Sequence, residues 1–246
     1  MCTVSFVNAN GKIIITSNRD EKTLRPNAVE PKNYLINNKK IIFPKDKKAG
    51  GTWFAIDEHS TIIVLLNGAD EKHILKDAYR KSRGLIVLEL ISSESAIATW
   101  KSIDLENIEP FTLVLFENQK LYQLRWNETE KSTSELDINQ SYIWSSSTLY
   151  PKEIREKRSN WFYTFLDTTR GAAELSAAKP EVNADELFNF HRYTEEENNE
   201  HGLVINRNDT LKTLSITQTV VEKNKVEIHY NDLIAEKDFS NTFISV

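Results

Sequence analysis

Two β-branched, apolar runs, Thr3 to Val7 and Lys12 to Thr16, are separated only by Asn8-Ala9-Asn10-Gly11. Asn-Gly suits a two-residue turn that needs positive φ at both central positions, so the chain opens with a tight antiparallel hairpin. The same design repeats downstream. Thr52 to Ile56 and Thr61 to Leu66 flank Asp57-Glu58-His59-Ser60, and Phe111 to Phe116 and Leu121 to Trp126 flank Glu117-Asn118-Gln119. Thr213 to Val221 and Val226 to Tyr230 are joined through Lys223-Asn224. Apolar spacing predicts helices over 70–92, 94–101, 151–168 and 184–192, with Pro151 in the favoured first turn of the third. Hairpins, then helices, then more hairpins predict an α+β or layered αββα fold with mainly antiparallel sheets. Without an internal repeat or a long linker, residues 1–246 read as a single domain.

Composition narrows the function. Of the 246 residues, 39% are apolar and 10% aromatic, enough to bury a core, so a disordered chain is excluded. A net charge of −5 argues against a general nucleic-acid-binding role. No apolar run is long enough to span a bilayer, and the N-terminus has no signal-peptide pattern, so the expected location is the cytoplasm. The single cysteine, Cys2, excludes an internal disulfide and any multi-cysteine metal site. Loss of Met1 would make Cys2 the first residue of the mature chain.

With Asn10-Gly11 at the turn, Ala9 pairs with Lys12, and the same register carries Cys2 to Arg19. A thiol, a free α-amine, a guanidinium and the carboxylates of Asp20 and Glu21 would then share one sheet end. The chemistry is coherent. A cation favours the thiolate, and a neutral α-amine, titrating near ~8, can accept the thiol proton without a histidine. Arg19 and Asp20 are adjacent, so on a regular strand they point to opposite faces. Both reach Cys2 only if the strand bends; otherwise Asn18 with Asp20, or Arg19 with Glu21, forms the facing set.

Met1-Cys2-Thr3-Val4, Ser17-Asn18-Arg19-Asp20-Glu21, Arg25-Pro26 and Gly50-Gly51-Thr52-Trp53 together resemble the NRDE family, also called the transport and Golgi organisation protein 2 family. Weaker matches follow in order at Asn67-Gly68, Ser82-Arg83-Gly84 opening a helix, Phe111 to Val114, Ser145-Ser146-Ser147 and Lys212 to Ser215. The resemblance covers most of the chain and is most specific up to Trp53. It implies an N-terminal nucleophile hydrolase fold, a four-layer αββα sandwich of two antiparallel sheets between helical layers. Hydrolases of that fold, such as the penicillin V acylase and bile salt hydrolase group, cleave carbon–nitrogen amide bonds. By that resemblance Cys2 attacks the carbonyl, Arg19 and Asp20 polarise the thiol and hold the amine, and Asn67 donates to the oxyanion. Asn18, Trp53, Ser146 and Lys212 would contact the substrate. Ser146 and Lys212 stand where the acylases carry an asparagine and an arginine.

Other features suggest no cofactor. His59, His73, His191, His201 and His229 lack metal-ligand spacing, and no Gly-rich phosphate loop exists. The basic loop Lys45-Asp46-Lys47-Lys48 reads as a solvated face, and Glu195 to Glu200 as a mobile surface loop. Two readings of Gly50-Gly51 stay open: close approach to a ligand, or a turn with positive φ. Two functions also stay open. One is an amidohydrolase acting on a small molecule. The other is a binding or trafficking protein for haem or a lipid-like ligand, toward which the family's associations and the changes at Ser146 and Lys212 lean.

Overall fold

The computed structural model describes residues 3–169 and 181–246, which fall into two compact units. One unit comprises the chain up to Leu24, Ile138–Ser145 and Tyr150–Ile244; the other comprises Arg25–Asp137, Ser146–Leu149 and Ser245–Val246. Each is built on one seven-stranded antiparallel sheet.

The first sheet holds β1 (Thr3–Ala9), β2 (Lys12–Lys22), β10 (Tyr142–Ser145), β11 (Asn206–Arg207), β12 (Leu211–Glu222), β13 (Lys225–Asp232) and β14 (Lys237–Ile244). Their order is β10-β1-β2-β12-β13-β14, with β11 beside β12. Asn10 and Gly11 take φ of 53° and 75°, and Ala9 pairs with Lys12 as the Asn-Gly turn requires. The register runs unbroken to Thr3 opposite Asn18. The expected Cys2–Arg19 pair lies outside the described residues. Val7, Ala9 and Ile14 face α3 (Lys152–Thr168) and α4 (Ala184–Tyr193), where they meet Phe162, Leu166, Leu187 and Phe190. Helix α4 starts at a capping box in which Asn183 and Glu186 satisfy each other's backbone N–H groups.

The second sheet is a meander. It runs in chain order through β3 (Val29–Ile36), β4 (Lys39–Lys45), β5 (Phe54–Asp57), β6 (Ile62–Asn67), β7 (Phe111–Glu117), β8 (Lys120–Trp126) and β9 (Lys131–Leu136). Strands β6 and β7 are buried at every position, which explains their continuous apolar runs. Helix α1 (Arg83–Ile91) packs on β5 and β6 with Ile86, Val87, Leu90 and Ile91 inward, and α2 (Ala96–Ser102) follows it.

The glycine pair resolves into two distinct jobs. Gly50 takes φ of 74° in a turn, whereas Gly51 lies against the backbone of α1. A Cβ on Gly51 would fall 2.3 Å from the Gly84 carbonyl carbon. The close approach is therefore to the protein's own helix. Since neither backbone can yield cheaply, Gly51→Ala is expected to destabilise the fold by about 2 kcal/mol, read as a lower urea midpoint. An unchanged midpoint would contradict the assignment.

Four differences from expectation have physical causes. The first helix begins only at Arg83. Residues 70–82 form a loop, because Ile74 and Leu75 are adjacent rather than spaced along a face, and backbone and side-chain bonds hold Arg80 to the Asp104–Asn107 segment. The hairpin β3–β4 turns through Asn37-Asn38, both at positive φ, a signal hidden by the polar, Pro31-bearing edge strand before it. Strands β9, β10 and β14 carry too little apolar alternation to stand out. The basic loop is only partly solvated. Asp46 is buried and accepts from the Lys48 and Ala49 N–H groups at 2.9 and 2.8 Å and from Arg25 Nε at 2.7 Å.

Candidate active site

Asn18, Arg19 and Asp20 lie at the end of β2, all buried. A bulge falls directly opposite: Thr213 pairs with Asp20 and Ser215 with Arg19, leaving Leu214 extra. The bulge is in β12, so β2 keeps its alternation. Asn18 and Asp20 therefore share the helix-covered face, and Arg19 shares the other with Glu21, whose Oε2 lies 4.0 Å from the Arg19 guanidinium. Asn18 with Asp20 and Arg19 with Glu21 are thus two sets on opposite faces, and which of them faces Cys2 lies outside the described residues.

Asp20 is held by two neutral donors. Tyr150 O–H donates to Oδ2 at 2.7 Å and Thr213 O–H to Oδ1 at 2.6 Å. The Arg158 guanidinium stacks on the Tyr150 ring at 3.6 Å. Arg158 donates to Thr3 Oγ1 and to the carbonyls of Gly202 and His201. Burial, then the Asp20 charge, pushes the Tyr150 hydroxyl well above its ordinary range, so it stays a donor. Among the described residues Arg158 has no carboxylate at ion-pair distance, and Asp20, reached through Tyr150, is its nearest compensation on these contacts.

Asn18 organises a second chain. Its Nδ2 donates to the carbonyls of His191 and Leu203 at 3.0 and 2.8 Å, so its Oδ1 is left to accept from His191 Nδ1–H. That fixes the tautomer: Nε2 is bare and accepts from Ser5 O–H at 2.7 Å. Burial, then the Arg158 charge, lowers His191 to about 3. The unfolded chain protonates near pH ~6.5 and the folded one only near 3, so between those values the unfolded state holds the extra proton. Stability from His191 is therefore full above about pH 6.5 and falls by up to ~1.4 kcal/mol per pH unit below it. His191→Gln should flatten that part of the profile, measured as urea midpoints from pH 7 to pH 4. Parallel profiles would contradict it.

Lys212, on β12 opposite Glu21, is half-buried and bonded to Asp209 at 2.7 Å. In the second unit, Asn67 ends β6, and Ser146 O–H donates to its backbone carbonyl at 2.7 Å. These two expected residues are thus joined. The Asn67 side-chain oxygen is buried with no partner among the described residues. Trp53 is a buried aromatic before β5, its carbonyl accepting from Leu65 N–H at 2.9 Å. Sequence reasoning missed Tyr150, Arg158, His191 and Thr213. The capping box before His191, the amphipathic run containing Arg158 and the Lys212 to Ser215 match around Thr213 gave some signal, and none of them marks a polar contact across the fold. Among the described residues, no group of three His, Cys, Asp or Glu side chains could hold a metal. Nor is any of their helices long and apolar enough to cross a membrane.

The family model of Transport and Golgi organisation 2 matches residues 1–232. The curated proteins contain no match. Among solved structures, a Caenorhabditis elegans orthologue of N-acylethanolamine-hydrolyzing acid amidase is similar at a TM-score of 0.61 and 11% identity, covering 90% of this chain and 92% of its own. Two forms of conjugated bile acid hydrolase from Clostridium perfringens also match at 11% identity, each covering 99% of this chain and 92% of theirs. The one in which the cysteine at position 2 is alanine gives a TM-score of 0.54, and an arginine-to-leucine variant gives 0.55. These likenesses show the fold: α+β, two antiparallel sheets, N-terminal nucleophile hydrolase-like.

Proposed function

The chain belongs to the Transport and Golgi organisation 2 family, and from that premise we propose that it is an N-terminal cysteine hydrolase cleaving an amide bond of a small molecule. One family model running through both units supports treating them as one domain. Cys2, freed by loss of Met1, attacks the amide carbonyl as thiolate while its own amine takes the proton. The C–N bond breaks, the amine leaves with that proton, and water hydrolyses the thioester to a carboxylic acid. Asn67 stabilises the oxyanion, Arg19 and Asp20 polarise the thiol and hold the amine, and Asn18, Trp53, Ser146 and Lys212 shape substrate binding. No cofactor enters the reaction.

The observation that carries this reading is the buried polar end of β2. Asn18, Arg19 and Asp20, with Arg158 and His191, are all nearly or fully inaccessible. Burying the ionisable groups among them seldom stabilises a fold, so their concentration at the end of β2 is a mark of function. The competing reading is a carrier of haem or a lipid-like ligand. It draws on Ser146 and on Lys212, whose ammonium is already engaged by Asp209. Assay against a panel of small acyl amides separates the two. The wild type should release amine, and Cys2→Ala should lose turnover while melting at the same temperature. Hydrolysis by Cys2→Ala at the wild-type rate, or none by a wild type lacking Met1, would refute the proposal.

A further inference from the structure

At the β14 edge of the first sheet, strand pairing brings together side chains that the amidase reading leaves unused. In the β13–β14 hairpin His229 stands opposite Ser240 and Asn231 opposite Asp238, so all four share one side of the two strands. Ser240 Oγ lies 3.0 Å from His229 Nδ1, and Asp238 Oδ1 lies 3.1 Å from His229 Nε2. Asn231 Nδ2 donates to the same carboxylate oxygen at 2.9 Å. A carboxylate only accepts, so it holds the imidazole proton on Nε2 and leaves Nδ1 bare toward the serine hydroxyl. The Phe188 ring stands edge-on to the imidazole, with centroids 5.2 Å apart, and limits its rotation.

Beside this row, within the same unit, a cleft of about 510 Å³ opens between α4 and strands β12 to β14. Ala184, Phe188 and Val220 give it an apolar wall, and His229, Ser240 and Thr242 line its polar side. Since β14 is the last strand of its sheet, alternate backbone N–H groups along it point outward without a sheet partner. A carbonyl oxygen held at this edge would meet them as donors.

We propose that Ser240, His229 and Asp238 form a second nucleophilic site, which takes the acyl group from small uncharged esters. His229 Nδ1 accepts the Ser240 proton as Oγ bonds to the ester carbonyl carbon. The bond from that carbon to the alkoxy oxygen then breaks, the alcohol leaves with the proton, and water hydrolyses the acyl-serine to a carboxylic acid. Asp238 and Asn231 position the imidazole. Asp185 and Glu227 also border the cleft and disfavour anionic acyl groups. The His229 side chain is 36% exposed, so water reaches the acyl-serine. Cys2 takes no part, and the inference stands whether or not the amidase reading holds.

Diisopropyl fluorophosphate, applied to the full-length chain and followed by peptide mass mapping, tests the nucleophile. Ser240 should carry the phosphoryl adduct, with fluoride and the serine proton lost. A serine in a mere surface ladder of polar pairs would react no faster than any other exposed serine. His229→Gln should slow the labelling by about 10²-fold or more, and Asp238→Asn should slow it less. These side chains are partly or fully exposed, so unchanged melting temperatures confirm folded variants. Hydrolysis of p-nitrophenyl acetate by the Cys2→Ala chain, which lacks the thiol, should fall to the background rate when Ser240→Ala is added. No adduct on Ser240, equal labelling of wild type and His229→Gln, or ester turnover that survives Ser240→Ala would overturn the proposal.

Discussion

Replacing Arg158 by methionine is expected to destabilise the fold by about 3–5 kcal/mol, the loss that follows when one partner of a buried charge network is removed. The methionine fills much of the space but leaves the Gly202 and His201 carbonyls and the Thr3 hydroxyl without their donor. It also leaves Asp20 buried without the cation stacked on its Tyr150 partner at 3.6 Å, while the Arg207 guanidinium lies farther from that ring at 5.3 Å. Urea denaturation at neutral pH measures the loss. Arg158→Lys, which keeps the charge but not the planar fork or the stacking, should fall between the two. The same substitution has a second signature. Arg158 depresses the pKa of His191, so Arg158→Met should make stability less steeply dependent on pH below 6. A methionine variant within about 1 kcal/mol of wild type would mean that the cation is not structural.

The second large effect falls on activity. Asn67→Ala should lower kcat for amide cleavage by roughly 10²–10³-fold, the loss measured for single oxyanion donors elsewhere. Its stability should hardly change, because the Asn67 side-chain oxygen has no partner to lose among the described residues. Ser146→Ala removes the bond to the Asn67 backbone together with the contact to Thr148 Oγ1, so it should act more weakly and in the same direction. If Asn67→Ala lowers stability and leaves kcat alone, its role is in the fold.

The sequence was most legible where chemistry is local. Asn10-Gly11 dictated the first turn and, through it, the pairing of Thr3 with Asn18. The apolar runs of β6 and β7 marked buried strands without naming their neighbours. Candidate residues on β2 were found because a motif concentrates them, and their facing followed from strand alternation once the bulge was seen to lie at Leu214. Tyr150, Arg158 and His191 were out of reach for a different reason. Each acts through a contact more than 100 residues away along the chain, and nothing in the residues around Arg158 distinguishes a buried guanidinium from a solvated one. The loop at 70–82 misled because Lys72, Lys76, Ala78 and Lys81 favour helix locally, whereas ties such as Arg80 to Asp104 and His73 to Glu109 fix another path.

The central claim, that Cys2 is an activated N-terminal nucleophile, rests most directly on intact-protein mass spectrometry before and after brief exposure to iodoacetamide at neutral pH. The single cysteine makes the readout unambiguous. The account predicts a chain lighter by one methionine, whose thiol is alkylated much faster than that of a cysteine peptide. A chain that keeps Met1, or a thiol slower than the peptide, would contradict it.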